Sequence, residues 1–202
     1  MRAVQIMDRL RSPGGCPWDA EQTHSSLAPY LIEEAYETLE AIETADLASL
    51  REELGDLLLQ VLFHARLAEE AAEDERFSIS DVADDLVTKL TRRHPHVYSD
   101  VTVSSAAEVN ANWDEIKQAE KQRESATDGI PLAQPALALS AKLVSRASKA
   151  GLDVPTPAGH GLGEKLFDLV REAVQAGIDP EQALRETARD YRDAIRAEEL
   201  GE

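Results

Sequence analysis

The chain has 202 residues, of which 43% are hydrophobic and 30% are charged, so it can bury the core of one domain with a smaller appendage. Aromatic residues make up only 4%, and a composition rich in Ala, Leu, Glu and Arg favours helices over strands. The formal net charge of −18 excludes the usual electrostatic attraction to DNA or RNA. A polyanionic ligand would need a bridging cation or a separate basic cluster.

The sequence also indicates a compartment. Cys16 is the single cysteine, so no intrachain disulfide can form. No segment is long and apolar enough to span a membrane, and residues 1–11 lack the apolar core of a signal peptide. We therefore expect an intracellular, cytoplasmic protein without a membrane or nucleic-acid partner.

The first predicted elements are a loop and two helices. Residues 11–19 contain two prolines and two glycines, which predict a loop. Apolar spacing predicts a first helix over 26–44, in which Pro29 is tolerable if it lies in the first turn. A second helix is predicted from an Asp46 cap to about residue 72. Because the connection between these helices is short, we expect them to pack antiparallel.

Two further helices complete the predicted bundle. A third helix is predicted from a Ser80 cap to a point before Pro95. A fourth is predicted over 105–124, where Ser105 and Glu108 have the spacing of a capping box. Four helices with short connections predict an all-α bundle.

The remainder of the chain predicts a second helical region. Gly and Pro residues mark a linker, so we expect a helical domain over 1–125, a linker over 126–135 and further helices over 136–202. Asp179 followed by Pro180 predicts the start of a last helix.

Acidic residues on the first two helices are the most informative feature. They are Glu33, Glu34 and Glu37 on the first helix, and Glu53 and Asp56 on the second. Residues three or four apart share a helix face, so these carboxylates can converge if the helices pack antiparallel. Hard oxygen ligands suit Mg²⁺, with Mn²⁺ possible, and a cation would offset their repulsion. The alternative is a solvated acidic face, but Asp56 directly precedes an apolar run, where an unpaired carboxylate is costly.

These motifs resemble the MazG nucleoside triphosphate pyrophosphohydrolase family. The resemblance covers about residues 5–150. The segments that carry it are Cys16-Pro17-Trp18-Asp19, Glu21-Gln22-Thr23-His24, Pro29-Tyr30, Glu33-Glu34-x-x-Glu37, Glu52-Glu53-Leu54-Gly55-Asp56-Leu57-Leu58, Arg92-Arg93-His94-Pro95-His96-Val97 and Trp113-x-x-x-Lys117.

The resemblance implies a MazG-like four-helix bundle with additional C-terminal helices, usually dimeric. It implies Mg²⁺-dependent hydrolysis of an NTP or dNTP to the monophosphate and pyrophosphate, a house-cleaning activity on the nucleotide pool. The implied metal ligands are Glu34, Glu37, Glu53 and Asp56. Glu33 is the remaining acid, which by hypothesis orients or deprotonates the attacking water.

Basic residues provide candidate phosphate contacts. Lys89 and Arg93 are one helical turn apart with Arg92 adjacent, and Lys117 follows Trp113 by the same spacing. The cations can bind phosphates and Trp113 can contact a base. The alternatives are a solvated face for the cations and core packing for Trp113. Cys16 and Trp18 are interpreted as packing residues, and His64 as a satisfied core or interface histidine.

The second half departs from the two-domain pattern of longer relatives. Residues 163–167 resemble a remnant of a second acidic motif, but its partner helix is absent. Asp190 and Ala194 stand where Lys and Arg are expected. We therefore interpret 136–202 as a degenerate second region that serves folding or dimerisation.

Other functions stay open at this point. One is an enzyme restricted to a single nucleotide such as dUTP. Another is a non-catalytic nucleotide-binding regulatory or dimerisation protein with a vestigial metal site. A third is a structural bundle that mediates protein contacts.

Overall fold

The computed structural model describes residues 1–121, 124–159 and 161–201, and their side chains except those at 110, 111, 114, 115, 117–119 and 121. Every regular element in these ranges is a helix, which confirms the all-α class. The helices are α1 (Arg2–Arg11), α2 (Pro17–Glu21), α3 (His24–Glu43), α4 (Leu47–Ala68), α5 (Ile79–Arg93), α6 (Pro95–Tyr98), α7 (Ala106–Lys121), α8 (Ala136–Lys149), α9 (Leu162–Gln175) and α10 (Pro180–Leu200).

The chain divides into two compact units, Met1–Val109 and Asn110–Glu202. The first unit contains α1 to α6, and the second contains α8 to α10. The predicted domain limits of 1–125, 126–135 and 136–202 stay predictions.

Helix α3 begins earlier than predicted because Thr23 caps it. The Thr23 hydroxyl accepts a hydrogen bond from the Ser26 amide at 3.1 Å, and the Ser26 hydroxyl accepts one from the Thr23 amide at 2.9 Å. Pro29 therefore lies in the second turn, so our reason for tolerating it was wrong. Proline has no N–H to donate to the Ser25 carbonyl. Because this end of the helix is exposed, water can bind that carbonyl instead.

Helix α4 begins at the predicted cap. The Asp46 carboxylate accepts hydrogen bonds from the amides of Ala48 and Ser49, at 3.0 and 3.1 Å. Ala45 has a φ of 56°, which turns the chain sharply after α3 and makes α4 pack against it. The helix ends at Ala68, four residues before the predicted end.

The core of the first unit lies between α1, α3 and α4. Its buried hydrophobic cluster is Met7, Leu27, Leu62, Phe63 and Leu67. Met7 comes from α1 and Leu27 from the first turns of α3, and the other three residues lie on one face of α4. The core therefore fixes one end of the α3–α4 pair.

The predicted loop over 11–19 is shorter in the structure, because Pro17 begins α2 at the helix position where a missing N–H costs nothing. The backbone at residue 15 passes so close to α1 that only glycine fits there. A Cβ atom at Gly15 would lie 2.2 Å from the Leu10 carbonyl oxygen. Arg11 donates to both carboxylate oxygens of Glu70, at 2.8 and 2.9 Å, and to the Asp19 carbonyl. This side chain joins α1, α2 and the end of α4.

Two later caps differ in part from the prediction. Ser78 rather than Ser80 caps α5, in a capping box with Asp81. At α7 the predicted Ser105 cap is confirmed, since its hydroxyl accepts a hydrogen bond from the Glu108 amide at 3.2 Å. The Glu108 carboxylate, however, accepts hydrogen bonds from the amide and hydroxyl of Ser104, both at 2.8 Å, rather than from the Ser105 amide.

The second unit packs α8, α9 and α10 together around Val170. The predicted start of the last helix is confirmed, since Asp179 accepts hydrogen bonds from the amides of Glu181 and Gln182, at 2.9 and 3.1 Å. None of the helices in the described ranges has the length and apolar character needed to cross a bilayer.

Leu27→Ala should destabilise the protein by about 2–5 kcal/mol, because it opens a cavity in the core that holds α3 against α4. Urea unfolding followed by circular dichroism measures the change. Leu47→Ala, at a residue 78% exposed on α4, is the matched control and should unfold as the unaltered chain does. Equal unfolding of both variants would contradict the core assignment.

Candidate metal centre

The antiparallel α3–α4 pair brings acidic side chains from both helices together. Glu34, Glu37 and Glu53 each offer one carboxylate oxygen, and these three oxygens lie within 4.8 Å of one another. Glu34 and Glu37 share a face of α3 because they are three residues apart. Glu34 and Glu53 are half-buried and Glu37 is exposed. The spacing is close enough for one cation to contact all three.

Asp56 lies beside this group on α4. Burial raises the pKa of Glu34, and the charge of Asp56 is the next largest cause. Burial also raises the pKa of Glu53, followed by the charges of Glu37 and Asp56. Asp56 therefore acts on one glutamate from each helix.

Every charged neighbour that shifts the pKa of Glu34 or Glu53 is acidic. The ionised carboxylates repel one another in a partly desolvated position, so the group is unfavourable at neutral pH without a cation. The donor set consists of hard carboxylate oxygens, which fits Mg²⁺ or Mn²⁺ better than a soft metal.

Glu33 is exposed at the edge of the group. Its charge is the smallest of the acidic causes that raise the pKa of Glu34. Glu33 therefore interacts with Glu34 more weakly than Asp56, Glu37 and Glu53 do.

The predicted phosphate contacts lie on α5 and α7. Lys89 is exposed on α5 and makes no hydrogen bond or ion pair with the residues that the structure describes. Arg92 and Arg93 occupy the last turn of that helix. Trp113 is half-buried in α7, and the Lys117 side chain lies outside the described residues. Substrate roles for these five residues stay predictions.

Trp18 makes edge-to-face contacts with Tyr30 and Phe63, at ring-centroid distances of 6.0 and 6.5 Å. These contacts agree with its interpretation as a packing residue, although nearly half of its surface is exposed.

Sequence reasoning missed a contact between His24 and His64. Their Nδ1 atoms are 2.7 Å apart, and their rings are parallel within 4°. One signal could have found it. In an antiparallel helix pair, moving forward along one helix means moving back by the same number of residues along the other. His24 is ten residues before Glu34, and His64 is eleven residues after Glu53. A register that pairs Glu34 with Glu53 therefore also brings His24 close to His64.

Within the described parts of both units, the three glutamates of α3 and α4 form the one group whose ligand atoms approach closely enough to share a metal. Asp190 and Ala194, where Lys and Arg were expected, are exposed on α10. The fold and this group define the class as an all-α protein with a carboxylate-lined helix pair.

Comparison with known proteins agrees with that class. The model of the MazG nucleotide pyrophosphohydrolase domain matches residues 22–98, which include all of the acidic group. The nucleoside triphosphate pyrophosphohydrolase of Escherichia coli K12 is 44% identical over 184 residues, which cover 88% of this chain and 69% of that protein. The Mycobacterium tuberculosis protein of the same name is 46% identical over 197 residues, which cover 98% of this chain and 57% of that one.

An uncharacterized 26.1 kDa protein of Streptomyces cacaoi is 54% identical over 198 residues, which cover 97% of this chain and 81% of that protein. Among solved structures, a mazG-related protein from Thermotoga maritima is 30% identical with a TM-score of 0.47, and the match covers 58% of this chain and 97% of that one. The chain belongs to the MazG nucleotide pyrophosphohydrolase family.

Glu34→Gln should stabilise the metal-free protein at pH 7.5. A carboxylate whose pKa is raised by folding contributes stability that is full below about 4.5 and is lost as the pH rises through the folded pKa. The neutral Gln side chain does not lose this stability at pH 7.5. The unfolding temperature of Glu34→Gln in EDTA should therefore rise by about 2 °C. With Mg²⁺ the order should reverse, because the variant lacks a ligand. Thermal unfolding in EDTA and in Mg²⁺ measures both effects.

Glu40→Gln on the exposed side of α3 is the matched control and should show neither change. A lower unfolding temperature of Glu34→Gln in EDTA would contradict the repulsion described above.

Proposed function

We propose that the acidic group of α3 and α4 is the active site of a Mg²⁺-dependent enzyme. By family the chain is a nucleoside triphosphate pyrophosphohydrolase, a hydrolase acting on phosphoric anhydrides. The reaction converts an NTP or dNTP to the monophosphate and pyrophosphate, as house-cleaning of the nucleotide pool. The observation that carries the site is the approach of three carboxylate oxygens within 4.8 Å.

In this proposal Glu34, Glu37, Glu53 and Asp56 hold the cation. These residues fit a cation because their oxygens are hard ligands. They also fit it because every neighbouring charge that shifts the pKa of Glu34 or Glu53 is negative. When bound, Mg²⁺ supplies positive charge beside the phosphates and lowers the pKa of a bound water. It also explains how a chain of net charge −18 accepts a polyanion.

Glu33 is the proposed base. Its exposed position beside Glu34 lets it accept a proton from water without competing with the half-buried Glu34 and Glu53 for the cation. The water attacks the α-phosphorus of the substrate. The bond from this phosphorus to the oxygen that bridges the α and β phosphates breaks, and pyrophosphate leaves.

The basic residues are proposed to bind the rest of the substrate. Lys89, Arg92 and Arg93 lie along one side of the second half of α5, so a triphosphate can be contacted by more than one of them. Trp113 and Lys117 are proposed to contact the nucleoside and a phosphate. Because NTPs and Mg²⁺ are intracellular, we place the enzyme in the cytoplasm.

The decisive measurement is pyrophosphate release from a panel of NTPs and dNTPs. We expect turnover with Mg²⁺ and none with EDTA. Glu37→Gln should lower kcat by more than about 100-fold, beyond the loss typical of residues outside the ligand set, while the helical signal persists. Glu40→Gln, one turn along the same helix, should turn over normally.

Normal hydrolysis by Glu37→Gln would overturn the site. Nucleotide binding without turnover by the unaltered chain would instead support a non-catalytic regulatory protein.

A homodimer is also proposed. Helix α4 exposes Leu54, Leu58 and Val61, which form a continuous stripe at positions i, i+4 and i+7. Ile32 on α3 is also exposed, so both helices present apolar side chains that a partner can cover. A symmetric dimer can bury such a surface against its own copy.

Light scattering after size exclusion should give twice the mass of the chain. Leu58→Asp should give the single-chain mass, because a charge would enter the apolar contact. Leu132→Asp, at a residue that is 79% exposed and lies outside α3 and α4, should leave the mass unchanged. A single-chain mass for the unaltered protein would refute the dimer.

A further inference from the structure

Two histidines join the start of α3 to the later part of α4. The Nδ1 atoms of His24 and His64 are 2.7 Å apart, which is a short hydrogen bond. The ring centroids are 5.0 Å apart and the ring planes are parallel within 4°, so the rings meet edge to edge through these two nitrogens. This contact links residues forty positions apart in the sequence, on the same two helices that carry the acidic group.

The protons of this pair can be placed from burial. A bond between two Nδ1 atoms requires one to carry hydrogen and the other to be bare. The His64 Nε2 atom is buried and has no hydrogen-bond partner among the described residues. A proton there would be an orphaned buried N–H, which is costly. His64 therefore donates from Nδ1, and the exposed His24 accepts at Nδ1.

A further proton breaks this arrangement. If it binds the bare Nδ1 of His24, both facing nitrogens become donors and the hydrogen bond is lost. The proton could instead bind the His64 Nε2 atom. This is unfavourable because the pKa of His64 is lowered, mainly by burial and to a smaller extent by the charge of His24.

The neighbouring charged groups do not change this result. Arg11 on α1 pairs with Glu70, and Arg66 on α4 pairs with Asp8 and Glu70. Of the described charged groups on α1 to α5, only His24 shifts the pKa of His64. Asp81 on α5 is held in its own capping box by Ser78.

We propose that the His24–His64 hydrogen bond is a positioning contact that sets the register of α3 against α4, and thereby the spacing of Glu34 and Glu37 from Glu53. The turn around Ala45 joins the helices at one end, and the histidine pair joins them at the other. The acidic group lies between these two attachments, ten residues, or ~15 Å of helix, from His24. This inference rests on the proposed role of the carboxylates in metal binding.

The test compares two substitutions of His24 in the full chain. His24→Ala removes the acceptor. His24→Asn keeps one, because the Asn side-chain oxygen occupies nearly the position of Nδ1 but does not titrate. Ser25→Ala, at an exposed neighbour on α3, is the matched control. Mg²⁺ alone is the probe, and its affinity is measured by calorimetry at pH 7.5 and 5.5.

At pH 7.5 His24→Ala should bind Mg²⁺ about fivefold more weakly, the equivalent of one lost hydrogen bond. His24→Asn and Ser25→Ala should match the unaltered chain. Between pH 7.5 and 5.5 the affinity of the unaltered chain should fall relative to that of His24→Asn, because a proton taken up at the His24 Nδ1 atom removes the hydrogen bond and the Asn side chain takes up none. Protonation of the carboxylates affects both equally and cancels in this comparison.

Equal affinity of His24→Ala and the unaltered chain would overturn the inference, even if the variant unfolds at a lower temperature, since that would be a structural role alone. Identical pH profiles of His24→Asn and the unaltered chain would also overturn it. Nitrogen-15 chemical shifts of the His64 ring should show the proton on Nδ1, and a proton on Nε2 would refute the donor assignment. Absence of Mg²⁺ binding by the unaltered chain would overturn the proposed function together with this inference.

Discussion

The structure depends on the packing of α3 against α4, which forces like charges to approach one another. Hydrophobic burial of Leu27 against Leu62 and Phe63 stabilises the pair, while ionised Glu34, Glu37 and Glu53 oppose it. The two effects act at different positions along the same helices, since the core lies toward the start of α3 and the carboxylates lie toward its middle. A helix pair built in this way tolerates the repulsion, which a bound cation would offset.

The surroundings of the pair hold one end of it firmly. Arg11 connects α1 and α2 to Glu70 just after α4, and its side chain is 8% exposed. Arg66 adds an ion pair to Asp8 on α1. The carboxylates of these pairs are 43% and 59% exposed, so each pair contributes little stability. The bidentate geometry of the Arg11–Glu70 pair nevertheless restricts the orientation of both side chains. The short segments α1 and α2 therefore act on the site indirectly, by fixing the helix end that carries Phe63 and His64.

Much of the site was predictable because its chemistry is local to two helices. The spacing of Glu34 from Glu37, and of Glu53 from Asp56, places each pair on one face whatever the rest of the fold does. The short connection at Ala45 then requires an antiparallel arrangement. The cap at Asp46 was predictable for the same reason, whereas the cap at Thr23 was missed because Ser26, rather than an acidic residue, completes its box.

The sequence by itself determined the helical class, the acidic faces and the approximate positions of α3, α4, α5, α7 and α10, because each depends on periodicities and caps within a few residues. It did not predict α1, α2 or α6. Tertiary structure alone decided which of the five acids approach closely, and it placed Glu37 in the exposed part of the group with Asp56 beside it. It also decided that His24 and His64 meet, since that contact depends on the register of two helices. Register depends on contacts along the whole length of both helices, the histidine pair included, and no local spacing contains it.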